Sequence, residues 1–66
     1  MRRYEVRSAK AGIPGRDTPD FAEAKLEAER MASVGRCRIV IREMSGQRLM
    51  ALHIRTTEGA FTAFDL

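Results

Sequence analysis

Chemistry in this chain would have to come from very few side chains, since its 66 residues include a single cysteine, Cys37, and a single histidine, His53. One thiol forms no intrachain disulfide. One Cys with one His cannot fill a four-ligand structural zinc site. No metal centre and no cofactor is therefore expected. Gly12-Ile13-Pro14-Gly15 has neither the Walker-type spacing nor the dinucleotide-binding spacing that cradles phosphates. Lys10 and Arg16 beside it read as ordinary loop charges. What the chain does have is arginine. Only Lys10 and Lys25 among its twelve cations are lysine, against nine acids and a net charge of +3. Arg suits bidentate contacts to carboxylate and phosphate; a GC-rich genome that favours Arg codons accounts for the same bias.

The elements that must position these residues follow from periodicity. Arg2–Ser8 alternates, with Tyr4 and Val6 on one side and Arg3, Glu5 and Arg7 on the other, which predicts a half-buried strand. Residues 9–17, with two glycines around a proline, read as a loop. Thr18 is then a suitable N-cap and Pro19 a suitable first helical residue. The run from Asp20 to Val34 is rich in helix formers. Its apolar stripe is Phe21, Ala24, Ala28 and Met31, with Ala32 alongside. Gly35 is expected to end the helix. Arg36–Glu43 and Arg48–Arg55 read as two strands joined by a hairpin turn over Met44–Gln47. Ala60–Phe64 follows a second turn-like cluster and is a candidate further strand.

A two-residue loop at Ser45-Gly46 would place Glu43 opposite Arg48, Arg42 opposite Leu49 and Arg38 opposite His53. Cys37, Ile39, Ile41, Met50, Leu52 and Ile54 would then share one apolar face and cover the helix. The fold class expected is α+β: one helix packed on one face of a three- to four-stranded mixed sheet in the order β-α-β-β(-β). A right-handed crossover would make the first two strands parallel. Residues 1–66 form a single small domain. The opposite sheet face would carry Arg3, Arg7, Arg36, Arg38, Arg42, His53 and Arg55, with Phe64 joining it from the last strand. Val40, Leu49 and Ala51 would form an apolar centre. With Asp17, Asp20, Glu23, Glu27 and Glu29 on the helix side, the molecule would be electrically two-sided.

A domain this small buries only about 60% of the surface of its unfolded chain, and without disulfide or metal a partner subunit becomes an attractive staple. The expected function is a non-catalytic interaction protein that uses the Arg-rich face to engage an acidic protein surface or another subunit, homo-oligomers included. The alternative is RNA or single-stranded DNA binding on the same face, against which stand the absence of Trp and the shortage of aromatics for stacking. Catalysis is not expected, because in this register His53 stands opposite Arg38 with no acid nearby, and Cys37 lies on the core face. A 66-residue chain also leaves little room for a small-molecule pocket. No segment approaches the roughly 18 apolar residues of a membrane span, and Met1-Arg2-Arg3 is followed by no apolar leader. The chain reads as a whole small cytoplasmic gene product with no membrane partner.

Overall fold

The alternating N-terminal segment forms β1 (Arg2–Ser8), and the chain then turns back on itself before the helix begins. The computed structural model describes residues 2–35, 37–56 and 59–65. After β1 come β2 (Arg16–Thr18), α1 (Phe21–Gly35), β3 (Ile39–Ser45), β4 (Arg48–Arg55) and β5 (Phe61–Asp65). The strands make one sheet in the order β2-β1-β3-β4-β5, and every neighbouring pair is antiparallel.

This is an α+β fold with one helix, but the sheet has five antiparallel strands instead of three or four mixed ones. The difference begins at β2, inside the segment read as loop. Gly15 lets the chain fold tightly on β1, since a Cβ there would sit 2.8 Å from the Val6 carbonyl oxygen. Thr18 then pairs with Tyr4 and Arg16 with Val6. Because β2 reverses the chain before α1, the helix returns it to β3 antiparallel to β1, with Val6 opposite Ile41. The last strand forms one residue later than its sequence signal, over Phe61–Asp65.

The helix begins on Asp20. Its Oδ1 accepts the Ala22 N–H at 2.9 Å, and its carbonyl accepts the Ala24 N–H at 3.0 Å, as an N-cap does. Thr18, expected as the cap, instead ends β2. Buried there, its hydroxyl accepts the Asp20 N–H at 3.2 Å and donates to Glu23 at 2.8 Å. Gly35 lies inside the helix, and its lack of a side chain makes room for Ile13 and Cys37.

Ala24, Ala28 and Met31 of α1 bury completely against Val6, Ile39 and Ile41, with Tyr4, Phe21, Ile13, Ala32, Cys37 and Phe61 packed around them. The two alanines bring the helix close to the sheet, so it covers β1, β2 and β3. The β4–β5 half has no comparable cover among the described residues.

The decisive departure is in the central hairpin. Its loop is Gly46-Gln47, with Gly46 at φ 60°, and Ser45 pairs with Arg48. That positive φ suits a residue without a Cβ. Met44 then pairs with Leu49, but Glu43 pairs with Ala51, which leaves Met50 as the extra residue of a β-bulge. A one-residue slip sends every later side chain to the other face. Leu52 and Ile54, expected in the core, leave the helix side, and Ala51, His53 and Arg55 take their places. Asp20→Ala removes the helix cap and is expected to cost about 1 kcal/mol, read as a fall in Tm of about 4–8 °C for a domain this size.

Candidate functional site

Cross-strand partners share a face, so the pairing registers lay out the uncovered side of the sheet row by row. Asp17, Glu5, Arg42, Leu52 and Phe64 form one row, and Arg7, Val40, Ile54 and Thr62 the next. Arg3, Met44 and Leu49 form a third. The face therefore has two halves. Its β2–β1 half is charged. Its β4–β5 half is apolar and extends onto Val40 and Met44 of β3. Phe64 is 51% exposed, Val40, Leu49, Leu52 and Ile54 are half-buried, and Met44 is buried.

The arginine-rich face expected from the sequence is thus taken apart. Arg3, Arg7 and Arg42 do lie on the uncovered side. Arg38 sits exposed just before β3, beside Ile54, Thr62 and Phe64, in an open depression of about 630 Å³. Val40, Leu49 and Phe64 also stand where expected. Arg36 lies outside the described residues. His53, Arg55 and Ala51 face the helix instead, because the Met50 bulge inverts that stretch of β4.

Charge is not segregated by face either. Arg3 reaches Glu5 at 2.7 Å, Arg42 reaches the other Glu5 oxygen at 3.8 Å, and Arg7 reaches Asp17 at 2.9 Å. Asp17 was expected on the helix side. It comes to the uncovered face because β2, unseen in the sequence, pairs it with Glu5. On the helix side, Glu27 takes Arg30 and Arg16, and Glu29 takes Arg55. The electrically two-sided molecule gives way to local ion pairs on both faces.

The helix side holds a second arrangement that the sequence did not reveal. His53 Nε2 lies 2.9 Å from Glu43 Oε1, Arg2 donates to the other Glu43 oxygen, and the His53 ring packs on Phe21 at a 45° tilt with centroids 4.6 Å apart. Glu43 was expected opposite Arg48; it stands between Tyr4 and Ala51 and is only 9% exposed. A buried carboxylate needs such partners, and a cation with a histidine supplies them. His53 lies at the wall of an open groove of about 840 Å³ between α1 and β5, lined also by Phe21, Lys25, Leu26, Phe61 and Ala63. Among the described residues, no hydroxyl or thiol hydrogen-bonds to His53. Cys37 sits away from it, with Sγ 2.9 Å from Ser8 Oγ.

Glu29, which also lines that groove, is paired with Arg55. The Arg55 guanidinium donates to both Glu29 oxygens, at 2.9 and 3.0 Å, and holds the Glu29 carboxyl below its ordinary value of 4.5. The same bond raises Arg55. A carboxylate depressed by folding contributes stability that is complete above its unfolded pKa and lost as pH falls through the folded one. Glu29→Gln is therefore expected to melt slightly below the parent protein near neutral pH. The gap closes as pH drops below 4.5, which parallel melting curves across pH would record. The chain matches no family model, no curated protein and no solved structure.

Proposed function

We propose that this chain is a non-catalytic interaction protein that docks another subunit on the uncovered face of its sheet. The observation that carries this reading is the apolar strip of Val40, Leu52, Ile54 and Phe64, left without cover by the helix and bordered by Arg38 and Arg42. An apolar centre with an arginine rim is the usual make-up of a protein interface. The strip also uses large side chains in a chain whose fully buried core holds only two isoleucines, a valine, a methionine and two alanines. Side chains of that size kept off the core point to a contact made elsewhere.

Nucleic-acid binding loses its support on the same geometry. Single-strand binders combine a continuous basic track with several stacking aromatics. Here Arg55 and His53 face the helix, Arg3, Arg7 and Arg42 lie beside carboxylates, and Phe64 is the one aromatic among the described residues of the uncovered face. The single cysteine fits work in a reducing cytoplasm. No helix among the described residues is long and apolar enough to cross a membrane.

Fluorescence anisotropy with labelled single-stranded RNA and DNA tests the choice between these partners. The expected result at physiological salt is binding no tighter than the non-specific range of about 10⁻⁴ to 10⁻⁶ M. Tight binding that weakens steeply with added salt, and that Arg38→Glu with Arg42→Glu abolishes, would overturn the protein-contact reading.

A further inference from the structure

We infer that the occupant of the uncovered face is a second copy of this chain, packed sheet on sheet about a two-fold axis that runs along β4. The inference rests on the reading of that face as a docking surface and adds the identity of what docks. Two observations carry it, the way the apolar rows complement themselves about β4 and the position of the charges, and the area on offer sets its strength.

The apolar rows are centred on β4, with one residue of β3 and one of β5 on either side. A two-fold axis along that strand lays β5 of one copy over β3 of the other and β4 over its own counterpart. The row Arg42–Leu52–Phe64 then meets Phe64–Leu52–Arg42. Leu52 packs on Leu52, and each Arg42 guanidinium lies over a Phe64 ring, a favourable cation–π placement. In the next row, Val40–Ile54–Thr62 meets Thr62–Ile54–Val40. Ile54 packs on Ile54 and Val40 on the Thr62 methyl. Closed two-fold interfaces need this self-complementarity.

The charges fall outside the overlap. With β3, β4 and β5 stacked on their counterparts, β1 and β2 overhang the partner's β5 edge. Arg3, Glu5, Arg7 and Asp17 thus stay in water with the ion pairs they already make. The like-charge clash that an arginine-covered face would suffer does not arise, because the bulge has moved Arg55 and His53 to the helix side. An acidic partner is the less fitting occupant, since Glu5 and Asp17 already stand beside Arg3, Arg42 and Arg7.

The area sets the strength. Three strands about 4.8 Å apart and about six residues long offer a patch near 14 by 20 Å. At about 280 Å², it lies well below the roughly 800 Å² per partner of a standard interface, so the expected association is weak and transient, with a dissociation constant of about 100 μM or more. Packed face to face, the two sheets become a sandwich with the helices outside, and the apolar strip becomes its inner layer.

Sedimentation velocity on the full chain, from about 10 μM to about 1 mM, brackets such a constant. A concentration-dependent dimer is expected. Phe64→Lys and Thr62→Arg, both at exposed positions, should raise its dissociation constant by about tenfold or more. Circular dichroism and Tm would stay close to the parent's. Leu26→Lys, on the outer side of α1 and also exposed, should leave the dimer intact. A monomer across the whole range would overturn the second copy as occupant and leave the docking face for a different protein. A dimer that both face variants leave untouched would overturn the inference and the docking face together.

Discussion

The extra residue Met50 in β4 governs which way the following five side chains point, and the rest of the molecule is arranged around that choice. On the helix side it presents Ala51, His53 and Arg55. Small Ala51 opposes Glu43, His53 satisfies that buried carboxylate, and Arg55 reaches up to Glu29 on α1. Without the slip, Glu43 would lose the histidine at its side, and Arg38 would stand across from Arg55. Like charges directly across a strand pair are destabilising, whereas opposite charges and hydrogen-bonded pairs stabilise it. The bulge thus exchanges an unfavourable ladder for two ties between β4 and the helix layer. The cost is that Leu52 and Ile54 turn to the side with no helix.

That cost leaves an apolar surface on the uncovered face. A helix about 10 Å wide covers about half of a five-stranded sheet whose strands lie about 4.8 Å apart. The half it covers is built for packing: Val6, Ile39 and Ile41 against Ala24, Ala28 and Met31. The uncovered face is divided in turn, with ion pairs over β1 and β2 and apolar side chains over β4 and β5. The charged half keeps one end of the sheet in water, and the apolar half is the surface proposed to dock a partner.

Much of this was legible in the residues, and the losses have identifiable causes. The helix announced itself because its apolar positions recur at the right interval and its flanks carry capping types. Only the choice between Thr18 and Asp20 as cap was open to error, and both residues do hydrogen-bond the first turn. β1 and β4 were found with their boundaries because both are seven or eight residues long and rich in strand formers. β2 was missed because Arg16-Asp17-Thr18 has no apolar alternation, and its pairing depends on how closely Gly15 approaches Val6. The bulge was missed because a uniform alternation gave a fully apolar inner face, and nothing local in Leu49-Met50-Ala51 marks a slip. The acid for His53 was hidden by the same error, since Glu43 is ten residues away and reaches it only in the shifted register.

The orientation of β4 is the claim on which both the docking face and its self-complementarity depend. Proton nuclear Overhauser contacts around His53 and Leu52 read it directly. The structure predicts contacts from the His53 ring to Phe21, 4.6 Å away between centroids, and from the Leu52 methyls to Phe64, its cross-strand partner. Contacts from Leu52 to Phe21 or Met31, with His53 on the uncovered side, would contradict the bulge and return the sheet to an unbroken register.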